Sequence, residues 1–254
     1  MLVSSLLENT GFTNGFSTRM GGVSDFPKDS LNLAGFNEDS ADNIYENRRR
    51  FLQAFDGQYE LALAWQVHGD AIRTAATRDD VRDSEIRADA IISDLDGVLA
   101  AVKTADCVPV LIGDTKTNAF AAVHAGWRGT VQSIVPKAIV KMRDTYGTDP
   151  MDLVAAIGPA AGKCNYEIGE DVMTAFAENF TDSEKYFSPT REGHALVDLH
   201  QANRDQLIAV GVDAQNISTA PFCTMERPDI FFSYRLEKQK FGKTGRLLSV
   251  IGRG

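Results

Sequence analysis

Apolar residues in this chain come in short runs spread along its whole length. None approaches the roughly 18 residues of a membrane helix. Candidate strands fall at 61–67, 88–93, 98–104, 108–112, 119–124, 153–157, 195–198, 217–219 and 247–251. They are rich in Val, Ile, Ala and Leu and are bounded by Gly, Asp and Pro. Helical patterns lie between them. The segment 40–54 carries Ile44, Phe51 and Leu52 at helix-like spacing, with Ser40 or Asp42 as N-cap. The segment 131–146 carries a one-faced stripe through Ile134, Val135, Ala138, Ile139 and Met142. Thr130 is the expected cap of that helix, and Gly147 follows its end. Further helices are expected at 170–179 and 199–210, the last closed by Gly211.

The order of elements is mixed rather than a regular strand–helix alternation. DLDG at 94–97 reads as a tight turn between two strands, which implies an antiparallel hairpin. The expected fold is therefore α+β, with mixed sheets and helices outside, not a doubly wound parallel sheet. Neither GxGxxG nor GxxxxGK[ST] occurs, so dinucleotide and P-loop readings find no support. At 254 residues, 43% hydrophobic and 24% charged, the chain has an ordinary globular composition and enough length for a substantial core.

The net charge of −9 argues against an electrostatic grip on nucleic acid or an anionic membrane. It leaves room for a small anionic substrate held by a local basic cluster. The basic run Arg48, Arg49 and Arg50 is expected on a solvated helix face. Three cysteines make a poor disulfide framework, and the first residues lack the pattern of a secretory signal. A cytoplasmic, reducing setting with free thiols is expected.

Four segments are unusually polar and specific: WQVHG at 65–69, TADCVP at 104–109, VHAGWRG at 123–129 and FFSYR at 231–235. The first three place His68, Cys107 and His124 at or just beyond predicted strand ends, where loops converge and chemistry concentrates. Two imidazoles and a thiolate suit Zn²⁺, and three protein ligands leave an open position. The spacing alone leaves other readings open: separate structural roles, or Cys107 as a nucleophile with His124 or His68 as its base. Asp106 adjoins Cys107 but is expected to point the opposite way. His194 and His200 are expected to face solvent or cap, and Cys164 and Cys223 to be structural. Arg19, Arg48, Arg128 and Arg235 each offer a planar fork for phosphate or carboxylate, against the alternative of an ordinary salt bridge.

These motifs carry a resemblance. GFSTRMGGVS (15–24), SLNL (30–33), ENR (46–48), QVHG, TADC, HAGWRGT (124–130), GP (158–159) with YEIG (166–169), CT (223–224), FSYR (232–235) and TGR (244–246) occur in order. The chain resembles the laccase-domain proteins, once called multicopper polyphenol oxidases and also described as purine nucleoside phosphorylases and peptidoglycan editing factors. The resemblance implies a single domain over 1–254, folded as a four-layer α/β/β/α sandwich. It implies one zinc ion on His68, Cys107 and His124. It also implies phosphate-dependent cleavage of adenosine, inosine, guanosine and methylthioadenosine, with adenosine deamination as a second activity. A purine nucleoside and phosphate are the expected partners of a monomer or small homo-oligomer, with neither nucleic acid nor membrane involved. Arg48 and Arg128 are the phosphate candidates. GKCN at 162–165 departs from the family pattern. Copper is disfavoured, because four histidines are too few for a multicopper cluster. The rival expectations are a cysteine- or zinc-dependent hydrolase or amidase acting on peptidoglycan precursors, and a binding protein with a structural zinc.

Overall fold

The structure, a computed structural model, describes residues 1–35 and 38–254. Its elements run α1 (Ser5–Glu8), β1 (Thr13–Phe16), β2 (Met20–Asp25), β3 (Lys28–Ser30), α2 (Ala41–Leu52), β4 (Glu60–Ala62), β5 (Ile72–Thr74) and α3 (Arg78–Arg82). Next come β6 (Ala90–Ser93), β7 (Val98–Thr104), β8 (Val108–Asp114), β9 (Phe120–Ala125), α4 (Trp127–Val131), α5 (Ile134–Tyr146) and β10 (Leu153–Ile157). The remainder is β11 (Glu167–Gly169), α6 (Glu170–Asn179), β12 (Phe187–Pro189), β13 (His194–Val197), α7 (Leu199–Ala209), β14 (Ile217–Thr219), α8 (Tyr234–Phe241) and β15 (Leu247–Arg253).

The longer strands are apolar on both faces because each face meets a different core. In β7, Val98, Ala100 and Val102 enter one cluster, while Leu99 and Ala101 enter another. In β6, Ile91 and Ile92 divide in the same way. That period of two builds a stack of layers. Among the described residues one sheet has the order β1-β15-β7-β4 and a second has the order β14-β10-β8-β9-β6-β5. Both are mixed: β4 runs parallel to β7, while β15 runs antiparallel to it.

Phe12, Phe16, Leu111, Phe120 and Ile251 fill the space between the sheets. Outside the six-stranded sheet, α5, α6 and α7 bury Ile134, Met142, Phe176 and Leu207. Outside the four-stranded sheet, α2 lays Phe51 against Leu99 and Leu248. The architecture is the expected α/β/β/α sandwich. Among the described residues no helix is long and apolar enough to cross a membrane.

Two local expectations are corrected. The 94–97 turn makes no hairpin: β6 belongs to the six-stranded sheet and β7 to the four-stranded one. Its Gly97, at φ 69°, donates to Arg253 O at 2.7 Å, and the chain passes from one sheet to the other there. Thr130 does not cap α5. It lies within α4, where Asn203 donates to its hydroxyl (3.0 Å) and Gln206 to its carbonyl (2.7 Å), tying α4 to α7. The cap of α2 is as expected, with Ser40 Oγ accepting the Asn43 amide. Gly147 ends α5 in the left-handed region at φ 76°.

Candidate metal centre

The centre is assembled by a strand pair, a turn and a loop. In the β8–β9 register Pro109 lies opposite His124 and Val108 opposite Ala125. Cys107, one residue before β8, is thereby set beside the His124 end of β9. The turn that delivers Cys107 has Asp106 at φ 85°, a conformation that costs a non-glycine residue energy unless its surroundings hold it. Those surroundings are present. The buried Asp106 carboxylate accepts Thr224 Oγ1 (2.6 Å), Ser233 Oγ (3.0 Å) and the Arg235 amide (2.7 Å). Burial raises its pKa against those bonds. Asp106 is therefore an anchor for the 224–235 segment, held in a turn rather than on the extended chain the sequence suggested.

His68 is in the loop after β4 and also has a positive φ, 59°. The carboxylate of Asp89 holds it there by accepting the amides of Val67 (3.1 Å), His68 (2.9 Å) and Gly69 (2.8 Å). The same carboxylate lies 2.8 Å from His124 Nδ1. Asp89 is fully buried, which alone would raise its pKa. The bonds to His124 and to the amides outweigh burial and keep the carboxyl below its usual range.

One sulfur and two ring nitrogens, from Cys107, His68 and His124, lie within 4.8 Å of one another. The two rings meet edge to face, 4.9 Å apart at 81°. Gly126 makes this approach possible: a Cβ there would sit 3.0 Å from Cys107 Sγ and 3.5 Å from His68 Cδ2. His68 is exposed, Cys107 partly buried and His124 buried, so the centre opens on one side. Burial would raise the Cys107 thiol, but His124 and His68 pull it down to about 6. Burial would lower His124, but Cys107 and Asp89 push it up to about 9. Each of the two thus favours the charged form of the other. With Nδ1 committed to Asp89, Nε2 is the nitrogen left to exchange its proton for a metal. The soft sulfur, two imidazoles and buried orienting carboxylate fit a zinc-type cation.

The centre lies in a cleft of about 940 Å³. Arg48, Lys103 and Arg246 line its cationic part, and Tyr166, Trp65 and Trp127 its aromatic part. Arg48 thus departs from the solvated face expected for the basic run. Arg49 and Arg50 stay outside with Glu46, while Arg48 turns inward, where burial lowers its pKa. Arg128 lines the cleft from an exposed position, stacked on the Trp127 ring at 4.2 Å. Arg235 packs over Tyr166 at 5.1 Å. Arg19 is structural, bound to Glu237 at 2.9 Å. His200 does not face solvent: its ring bonds Gly158 O at 3.1 Å, and burial lowers its pKa.

Sequence reasoning missed Asp89, Lys103, Arg246 and Tyr166. Lys103 carried a usable signal, a lone charge in the apolar strand VLAAVKT. Its pKa is lowered by burial first and then by Arg48 and Arg246, with Glu38 acting the other way. Asp89, within Ala-Asp-Ala, carried none.

Taken together, the sandwich and its donor set define an α+β protein with a histidine–cysteine centre able to hold a metal in a cleft lined by several basic side chains. Residues 13–254 match the family described as multi-copper polyphenol oxidoreductase laccase, and the chain belongs to that family. A purine nucleoside phosphorylase of Bacteroides thetaiotaomicron is 35% identical over 258 residues, covering 97% of this chain and 93% of the relative. A purine nucleoside phosphorylase of Staphylococcus aureus is 35% identical, with coverage of 99% and 95%. The crystal structure of the Bacillus licheniformis hypothetical protein YfiH aligns with a TM-score of 0.89 at 30% identity, covering 96% of this chain and 93% of that one. That of YlmD from Geobacillus stearothermophilus aligns at 0.87 and 33% identity, covering 96% and 92%.

Proposed function

We propose that residues 1–254 act as one domain, a zinc-dependent purine nucleoside phosphorylase, with His68, Cys107 and His124 holding the metal. One observation carries this reading: basic side chains, aromatic side chains and a metal-competent donor set share a single cleft in a chain of net charge −9. The names of the relatives support the same choice. One His₂Cys set among the described residues, with His194 and His200 elsewhere, favours a single zinc over a multicopper cluster.

In phosphorolysis a phosphate oxygen bonds to the ribose C1′ as the bond from C1′ to the purine breaks, and the base leaves with the electron pair. Arg48, Lys103 and Arg246 hold and orient the phosphate anion in this scheme. Trp65 and Trp127 offer flat faces to the purine. Tyr166, pushed up to about 12 by burial and then by Cys107, keeps its proton and donates a hydrogen bond to the leaving group. A zinc ion on the three donors would supply Lewis acidity beside the reacting atoms. Arg128 at the rim is a lesser phosphate contact. The substrates are adenosine, inosine, guanosine and methylthioadenosine, with adenosine deamination as a second activity.

The test is a nucleoside screen with and without phosphate, read by chromatography. Free base that requires phosphate, and that vanishes in Cys107→Ala, is the expected result. No base release by folded, zinc-loaded protein would sink the proposal. The closeness of the Cys107 sulfur to the His124 ring, which draws the thiol pKa down, favours a second reading, a cysteine-dependent hydrolase or amidase acting on peptidoglycan precursors. Hydrolysis that survives chelation but stops when Cys107 is alkylated would select it.

A further inference from the structure

A second group of soft donors lies outside the cleft. The sulfurs of Cys164 and Cys223 and a carboxylate oxygen of Glu226 lie within 4.8 Å of one another. They belong to two backbone turns that are locked together. Cys223 bridges Ala160, and the Thr224 amide donates to Ala160 O at 2.9 Å. On one side, Asn165 and Tyr166 amides close a turn onto Gly162 O at 3.0 Å each. On the other, Glu226 and Arg227 amides close a turn onto Cys223 O at 3.2 Å each. Gly162 lets the turns meet: a Cβ there would lie 3.2 Å from Cys223 Cβ and 3.3 Å from Cys164 Sγ.

Each sulfur also has an N–H donor aimed at it. The Gly162 amide donates to Cys223 Sγ at 3.2 Å, and Asn165 Nδ2 to Cys164 Sγ at 3.3 Å. Donors of this kind favour anionic sulfur, as the groups around metal thiolates do. Three groups that are anionic when deprotonated are crowded here, and among the described residues Glu226 makes no salt bridge. The two sulfurs, the carboxylate oxygen and the N–H donors behind the sulfurs thus form a donor set that a divalent cation would complete. Cys164 and Glu226 are exposed and Cys223 buried, which gives an ion an entry path and a fixed inner ligand.

We propose that Cys164, Cys223 and Glu226 bind a second, thiophilic divalent cation of the Zn²⁺ or Cd²⁺ type, separate from the His68, Cys107 and His124 centre. Binding forms two metal–sulfur bonds and one metal–oxygen bond and releases the two thiol protons to solvent, with no redox change. Two thiolates and a carboxylate select soft d¹⁰ ions over Mg²⁺ or Ca²⁺. The inference is independent of the nucleoside reading, because none of its three ligands is a residue to which that reading gives a role in the cleft.

The test is equilibrium dialysis of fully reduced protein against Cd²⁺, with metal per chain measured by elemental mass spectrometry and thiolate binding followed by ultraviolet charge-transfer absorption. Two equivalents are expected for the unchanged chain, and one for Cys164→Ser, an exposed and structurally mild change. One equivalent is also expected for Cys107→Ala, with charge-transfer absorption retained, and a roughly tenfold weaker second equivalent for Glu226→Gln. A single equivalent in the unchanged chain, or a second one undiminished in Cys164→Ser, overturns the proposal. So does a Cys164–Cys223 disulfide in protein kept under reductant.

Discussion

Asp89 Oδ1 lies 2.8 Å from His124 Nδ1 while also accepting the amide of His68, so one buried carboxylate orients both histidines of the centre. Asp89→Asn would put an N–H₂ group against either the imidazole or the row of amides at 67–69, where acceptors are needed. Metal affinity should fall by about 10–100-fold, the usual cost of losing such an orienting partner. Competition with a chromophoric chelator measures this, and an unchanged affinity would show that Asp89 serves the loop alone.

Arg48 and Lys103 come from opposite elements, α2 and β7, to one part of the cleft. If they hold phosphate, Arg48→Gln and Lys103→Met should each raise the phosphate KM by about tenfold, the effect of losing roughly 1.4 kcal/mol. The nucleoside KM should move little. Initial rates over a grid of both substrates separate these terms. An effect confined to the nucleoside term would reassign the residues.

Asp106 gathers two hydroxyls and an amide from the 224–235 segment. Asp106→Ala leaves those donors facing an apolar methyl group in a buried place. The expected loss is about 3 kcal/mol, or about 9 °C in Tm for a chain of this size. Calorimetry of the zinc-loaded protein tests it, and a change below about 1 kcal/mol would mean that water replaces the carboxylate.

Cys164 is exposed, yet its thiol is pushed up to about 11 by burial and by Glu226 and Cys223. Thiolate is the reactive form, so alkylation of Cys164 should be slow at neutral pH and quicken about tenfold per pH unit toward 11. The sign is fixed by the direction of the shift: a raised thiol pKa empties the thiolate state at pH 7. Mass spectrometry of the modified peptide over a pH series tests this: a rate that already levels off near the ordinary thiol value of about 8.5 would show that the thiol is unperturbed.

Much of the fold could be read from the chain because strands such as β7 and β8 are apolar on both faces and helices such as α5 on one. Short edge strands such as β3 and β5 escaped because they bury too few residues to leave a period. The hairpin expected at 94–97 failed because a turn signature fixes the local reversal but not which sheet the chain enters next. The three donors were visible as residue types, and the resemblance tied them together. Asp89 and Tyr166 stayed hidden because their roles depend on long-range packing that brings 89 to 124 and 166 to 235. Cys164 and Cys223, 59 residues apart in sequence (223 − 164), became a pair only when the strand-like bridge at Ala160 joined their turns.

β15 follows every other strand of the described residues, yet it lies between β1 and β7 in its sheet. Until it emerges from the ribosome, β1 and β7 have no shared neighbour, and the core residues Leu248, Val250 and Ile251 are missing from two layers. Synthesis therefore leaves the nascent chain with open sheet edges, the state that chaperones guard, until the last strand inserts.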